Sequence, residues 1–328
     1  MLFEVPPLSW ICAQVTFRCS ESMRLPRWKG AMFRGGLGRA LWDSYCAPTC
    51  AELAACAKID SCLYRLVFAP ETSDPRLKGA HDAPRPFIIR PPLDDKTHFE
   101  PNDTLTFEII VTGWAVQLLP YLITAFHQLG QKGLGSEQGR ADLIRVETYH
   151  PQTGERQVFL EHGAFTNQAI VVHAADLVSV QPLGAQTLTL NFRTPTRIKT
   201  QGQWLRIPEC SAILNALIRR LRLLSQVYGT APWEIVAKPL LQQADGVVID
   251  AVNTRWVEWG RTSGATGQHM QFGGIVGSVT YRAVPPDIIA LLRLGTLAHV
   301  GKACVFGHGW YGLREESAAP IGRSHPRP

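Results

Sequence analysis

The sequence predicts an α+β chain built from two β-α-β-β-α-β units in tandem. Three observations carry that expectation. Two alternating strands end alike, in "TFRC" (16–19) and "NFRT" (191–194). Two helical stretches end in the same pair, Leu129-Gly130 and Leu294-Gly295, and each is followed by a glycine-rich segment, "QKGLGSEQGR" or "TLAHVGKACVFGHG". A pattern that returns once at this length marks a duplicated unit, and the order of elements is the ferredoxin-like one.

In the first half, "SWICAQVTFRC" (9–19) alternates as a half-buried strand does, and a turn follows at Pro26. "KGAMFRGGLGRALWDSYC" (29–46) reads as a helix. "LYRLVFAP", "RPFIIRPP" and "TLTFEIIVTG" read as extended segments, and "LLPYLITAFHQLG" (118–130) as the second helix. Residues 70–98 carry six prolines with mixed charge and read as an irregular insertion.

The second half opens with "QTLTLNFRTPTRIKT" (186–200), a strand running into a turn at Pro195. "ECSAILNALIRRLRLLSQVYG" (209–229) is an amphipathic helix ending at a glycine stop. "GVVIDAVNTRWVEWG" and "MQFGGIVGSVTYRAV" form a long hairpin, and "PDIIALLRLG" a helix with proline at its start. These boundaries divide the chain into 1–182, 183–314 and a tail, 315–328, whose composition suggests disorder.

Apolar residues make up 45% and charged residues 18% of the 328, a globular composition. No apolar run is long enough to cross a bilayer, and the start lacks a basic, then apolar, leader, so a soluble cytoplasmic chain is expected. Net charge is +6, unevenly spread: residues 1–185 hold 17 Lys and Arg against 19 Asp and Glu, while residues 186–328 hold 16 against 8. A basic half suits a polyanionic partner, because clustered cations release counterions from phosphates; it also suits an ordinary solvated surface. Arg193, Arg197, Lys199 and Arg261 fall at turns or strand ends where phosphate contacts form, and Lys29 opens the first helix. Arg219, Arg220 and Arg222 lie on a helix whose other face is leucine-rich.

Four of the eight cysteines cluster as Cys46, Cys50, Cys56 and Cys62. In a cytosolic chain they read as ligands of a structural zinc or as small buried thiols; their spacing is not that of a paired C-x2-C knuckle. No phosphate-binding loop, zinc-protease or nucleophile-elbow motif occurs. The stretch "AHVGKACVFGHGWYGL" (298–313) places Gly301, Gly307, Gly309 and Gly312 among Lys302, His299 and His308. Glycines in such a run mark a place where another backbone comes close.

Several segments, taken in order, resemble the pre-crRNA-processing endoribonuclease family of the CRISPR-associated RAMP superfamily. They are "LPRWKGAMFRGGLGRAL" (25–41), "CLYRLVFAP" (62–70), "RPFIIRPP" (85–92), "GQKGLGSEQGR" (130–140), "FRTPTRIKTQG" (192–202), "WVEWGRTSGATGQHMQFGGIVGSVTY" (256–281) and "HVGKACVFGHGWY" (299–311). The resemblance implies two ferredoxin-like domains with a C-terminal glycine-rich loop. It also implies metal-independent cleavage of CRISPR repeat RNA by the neighbouring 2′-hydroxyl, with the product retained, and other Cas subunits as partners. No cofactor is required for such cleavage.

The backbone that approaches Gly301, Gly307 and Gly309 would then be RNA, with His308 reaching the same cleft. Cleavage needs a group to orient the 2′-hydroxyl, a base for its proton and cations for the phosphorane. Many relatives carry a histidine on the first helix; here residues 27–46 contain none, and the matching position is Arg34. Arg34, His299 and Lys302 are accordingly the catalytic candidates. Two alternatives stand beside this one: a non-catalytic RAMP subunit that binds crRNA, and an unrelated zinc-stabilised nucleic-acid-binding module.

Overall fold

The computed structural model describes residues 2–46, 62–68, 70, 83–179, 186–262 and 269–316. The first unit opens with β1 (Ser9–Cys19), a two-residue strand β2 (Met23–Arg24) and α1 (Lys29–Tyr45). Next come α2 (Leu63–Phe68), β3 (Phe87–Arg90), β4 (His98–Phe99), β5 (Thr104–Thr112), α3 (Leu119–Lys132) and β6 (Ala141–Tyr149). The core strands pair antiparallel in the order β3-β5-β1-β6. Strands β7 (Arg156–Glu161) and β8 (Ala164–Phe165) extend the sheet beyond β6; β9 (Val172–His173) pairs with the start of β1 and leads into α4 (Ala174–Val178).

The second unit begins with β10 (Gln186–Thr196), the small hairpin β11 (Lys199–Thr200) and β12 (Gln203–Trp204), α5 (Cys210–Tyr228) and α6 (Ala237–Asp245). It closes with β13 (Val248–Thr262), β14 (His269–Val284), α7 (Pro286–Ala298) and β15 (Tyr311–Glu316). Its sheet has the order β13-β14-β10-β15. Counting core strands within each unit, both sheets run second, third, first, fourth, so the duplicated ferredoxin-like architecture is present in both halves. The expected boundary at 182–183 lies outside the described residues, as does the chain from 317 onward. Glu315 and Glu316, expected in a tail, pair with Leu188 and Thr187 of β10.

Burial follows the sequence pattern. In β1 the alternation is clean from Gln14 to Cys19, where Val15 and Phe17 turn inward and Arg18 outward. Before Gln14 the strand is buried on both faces. Helix α5 buries Ile213, Leu214, Leu217, Ile218, Leu221 and Leu224, a three-and-four spacing on one face. The turn of the β11–β12 hairpin is Gln201-Gly202, both with positive φ (47° and 82°), the backbone that matches strand twist in two-residue hairpins.

One segment differs from its sequence expectation: "LYRLVF" is the helix α2, not a strand. Its aromatics stand four residues apart, so on a helix Tyr64 stacks on Phe68 (centroids 5.2 Å apart, 6° between planes) while its edge meets Trp42 of α1 at 5.2 Å. A strand would have separated them.

The units are docked through one continuous apolar core. Trp114 Nε1 donates to the Val227 carbonyl (3.0 Å), Trp233 Nε1 to the Glu4 carbonyl (2.6 Å) and Tyr228 Oη to the Pro84 carbonyl (2.9 Å). The glycine-rich loop between α7 and β15 inserts at the same junction. A Cβ on Gly307 (φ 86°) would lie 2.4 Å from the Ile89 carbonyl oxygen of β3, and one on Gly309 (φ 71°) 1.9 Å from that of Val300. A Gly307→Ala variant is therefore expected to lose roughly 1–3 kcal/mol from left-handed strain alone, with the β3 collision adding to it. Its urea midpoint against wild type measures this.

Candidate nucleic-acid interface

Between the units lies a cleft of about 1310 Å³. One wall is α1 and α2 with Pro84 and Arg85; the other is the start of the β11–β12 hairpin, the outer face of α5 and the glycine-rich loop. Its described lining holds Arg34, Arg39, Arg85, Arg197, Lys199, Arg219, Arg220 and Lys302, and no aspartate or glutamate. Low-dielectric walls lined by one sign of charge concentrate a field on an incoming anion.

Each cation is placed by a local reason. Arg34 sits on α1 between two rings, its guanidinium 4.8 Å from the Phe68 centroid and 5.5 Å from that of Phe306. Arg197 lies 3.9 Å over the Trp204 ring, and Lys199 is 5.9 Å from the same ring. Arg220 is fixed by donating Nε to the Ala298 carbonyl (2.5 Å), and Arg85 by donating to Phe68 (3.1 Å). Lys302, Lys199 and Arg219 are exposed, and Lys302 is held by its own amide, which donates to the Arg197 carbonyl (2.9 Å). The cleft thus brings together Arg34, Arg197, Lys199, Lys302 and Gly301 of the sequence candidates. It adds Arg39 and Arg85, which no motif singled out.

Other candidates lie elsewhere. His299 is fully buried. Its Nε2 accepts from Arg90 Nε (3.0 Å), which places the proton on Nδ1, and that N–H donates to the His308 carbonyl (2.9 Å). Burial first, and the Arg90 charge second, hold this imidazole well below its usual pKa and keep it neutral. The expectation of a base facing RNA does not fit these partners; both nitrogens already serve the junction between the units. Lys29 is likewise buried, its Nζ held by the Asp94 carboxylate at 3.4 Å, so it does not face the cleft as an RNA contact.

The backbone that crowds the loop glycines is the chain's own. Gly301 meets the Arg197 carbonyl, Gly307 that of Ile89 and Gly309 that of Val300, where RNA had been expected. Arg193 is exposed on the open face of the second sheet, 5.1 Å from the Trp310 ring. The Arg261 side chain lies outside the described residues, as do Cys50 and Cys56. Cys46 is half-buried at the end of α1, and Cys62 lies in the core.

Arg90 is the residue that sequence reading missed. It is 6% exposed on β3. It donates to His299, to Glu108 (3.1 Å) and to the Thr296 carbonyl, and lies 4.6 Å from the Trp310 ring. Glu108 also accepts from Tyr149 Oη at 2.7 Å. The signal available was an arginine inside the apolar run "FIIR", a position that must be paired if buried.

His308 is 3% exposed and packs against Trp259 and Phe272 (5.5 and 5.4 Å). Burial, with Arg197 adding to it, pulls its pKa from 6.5 down to about 4. The unfolded chain binds this proton below about pH 6.5 and the folded chain does not, so the stabilisation is complete above 6.5 and is lost as pH falls toward 4. The His308 drop alone is linked to about 3 kcal/mol, and His299 acts in the same direction. Urea midpoints at pH 7.5 and 4.5 are expected to differ accordingly; equal midpoints contradict the neutral burial of both rings.

Comparison with known proteins follows the same division. The AF_1859_N N-terminal domain family matches residues 8–171, and the CRISPR-associated endoribonuclease Cas6 family matches residues 190–311. The chain is 23% identical over 301 residues to an uncharacterized protein of Archaeoglobus fulgidus, covering 88% of this chain and 93% of that one. Its fold is similar to that of a Cas6-RT-Cas1–Cas2 complex (TM-score 0.59, 14% identity, 98% of this chain), of which it spans 49% of the matched chain. It is similar to a Cas6 product complex (0.56, 16%, 93% of this chain and all of that one) and to Thermus thermophilus Cas6 (0.52, 17%, 94% and 99%). These likenesses show the fold, a tandem ferredoxin-like one. The AF_1859_N N-terminal domain model spans half of the chain, which belongs to that family, and residues 190–311 are similar to the CRISPR-associated endoribonuclease Cas6 family.

Among the described residues, no helix is long and apolar enough to cross a membrane.

Proposed function

We propose that the chain is a metal-independent endoribonuclease that cuts CRISPR repeat RNA and keeps hold of the product. One observation carries this: every charged residue in the described lining of the cleft between the units is a cation, with Arg34 and Lys302 on opposite walls. The reaction is attack of a ribose 2′-hydroxyl on the adjacent phosphorus. The O2′–P bond forms as the P–O5′ bond breaks, with the 2′-hydroxyl proton lost to solvent water and a proton taken from water by the leaving 5′-oxygen, giving a 2′,3′-cyclic phosphate and a 5′-hydroxyl. Arg34, Arg197 and Lys302 hold the phosphate in line and stabilise the charge that gathers on its oxygens. Arg34 suits the clamp because Phe68 and Phe306 restrict its guanidinium before substrate arrives. The chain of a Cas6-RT-Cas1–Cas2 complex is about twice as long, so association with other Cas subunits belongs to the same proposal.

Burial of both loop histidines favours a second reading, a crRNA-binding subunit without cleavage. One assay separates them: end-labelled repeat RNA, purified protein and excess EDTA, with a control RNA carrying deoxyribose at the cut-site nucleotide. A single cut that requires that 2′-hydroxyl and survives EDTA is expected. Tight binding without a cut assigns the second reading, and absence of both removes the RNA function.

A further inference from the structure

Beside the cleft, at the start of α1, the two units meet in an aromatic stack that the cleavage scheme does not use. Trp28, the residue before α1, lies over Trp259 of β13 at 5.6 Å with 15° between planes. The other face of Trp259 stacks on Phe272 of β14 at 4.6 Å and 17°. His308 stands against the Trp259 ring at 5.5 Å and 49°. The Trp28, Trp259 and His308 rings, with Gly30, Phe306 and Gly307, border a gap of about 10 Å³, the size of one water.

Two polar atoms are buried at this gap without a hydrogen-bond partner among the described residues: Trp259 Nε1 and His308 Nε2. A buried indole N–H and imidazole nitrogen ordinarily find partners, and leaving them bare costs stability. Thr194, which also borders the gap, uses its hydroxyl on the Gly307 carbonyl (2.7 Å) and the Trp310 amide (3.0 Å). The walls are aromatic faces and the exposed edge is a half-buried tryptophan outside regular helix geometry (φ −95°, ψ 86°). That combination matches one ligand chemistry: a flat heterocycle with hydrogen-bonding atoms on its rim.

We infer that Trp259 and His308 form a slot for one unpaired nucleobase of the bound RNA, and that Trp28 occupies the stacking position until RNA displaces it. The inference rests on the RNA reading of the cleft and names a subsite next to it. Phe306 borders both spaces, and Gly30 of the slot stands four residues before Arg34 of the cleft, one helical turn or about 6 Å. A phosphate held at Arg34 and a base in the slot therefore belong to neighbouring nucleotides. A base in Trp28's place lies parallel to the Trp259 ring, so the hydrogen-bond partner of its rim is His308 Nε2, on a ring tilted 49° to that of Trp259, and not the indole N–H, which points along the plane of the stack. Exchange of Trp28 for a base replaces one stack by another and gives His308 Nε2 a partner.

The test uses the full chain and repeat RNA oligonucleotides carrying 2-aminopurine at one position at a time, read by fluorescence on binding. One position is expected to be quenched several-fold. Trp259→Leu should abolish that quenching and weaken binding about 10-fold or more, the loss of one stacked base. Trp28→Ala should retain the quenching with equal or tighter binding. If Trp259→Leu fails to fold, Trp259→Phe keeps a ring and lacks the N–H, and it should retain the quenching while weakening binding less. A second readout is the ¹⁹F resonance of 5-fluorotryptophan at position 28, which should move when RNA binds. RNA that binds with no position quenched and an unmoved Trp28 signal overturns the slot and leaves the cleft intact. RNA that does not bind at all overturns the RNA reading, and the slot with it.

Discussion

Arg90→Met is expected to be the most destabilising single substitution at the junction, lowering unfolding free energy by about 3–5 kcal/mol. The variant removes the cation and leaves Glu108, Tyr149, His299 Nε2 and the Thr296 carbonyl without it, with His299 fully buried and the others half-buried. Breaking one member of a buried charged network leaves the others unpaired, and that exceeds the modest net value of the intact bonds. Arg90→Lys keeps the charge but not the planar fork that reaches both units, so it should fall between. Chemical denaturation followed by tryptophan fluorescence measures the series. A loss below 1 kcal/mol for Arg90→Met would mean that the network does not hold the units together. His299→Leu provides the complement: with Arg90 already replaced, its added cost should shrink, because the two side chains spend their hydrogen bonds on each other.

Replacing Lys199, Arg219 and Lys302 together by glutamine is expected to flatten the salt dependence of RNA binding. All three side chains are exposed and line the cleft, so their removal leaves the core untouched. Each phosphate neutralised contributes about 0.7 to the slope of log K against log salt for a single strand, so the slope should fall by about 2. Affinity near 50 mM salt should drop far more than affinity at 500 mM. Filter binding with repeat RNA over a salt series tests this. An unchanged slope would place the RNA on another surface, for example the open face of the second sheet, where Arg193 is exposed.

Much of this molecule was legible before any coordinate. The matched ends "TFRC" and "NFRT" lie on the first core strand of each unit, and both Leu-Gly pairs fall near the ends of the second helices. Periodicity located these elements because one face of each must meet a core. It misplaced "LYRLVF" because a six-residue apolar run has no period long enough to tell helix from strand. The aromatic pair four residues apart was the usable cue.

The site was legible only in its chemistry. An excess of Lys and Arg over 186–328 pointed to an anionic partner, but three of the cleft's eight cations, Arg34, Arg39 and Arg85, belong to the first unit, and Arg220 is set by the carbonyl of Ala298. Histidines in a glycine-rich run read as solvent-facing chemistry, since sequence gives no measure of burial. Packing placed His299 against Arg90, 209 residues away in the chain, and turned a candidate base into a neutral junction residue.

By itself, then, the sequence determined the duplicated fold, the glycine-rich loop and the sign of the surface charge, all of which are written in local pattern and composition. Which cations share a cleft, which histidines are reachable and what crowds the glycines were decided by tertiary structure. The physical reason is that burial, desolvation and close approach depend on contacts between residues far apart in the chain, and no local pattern encodes them.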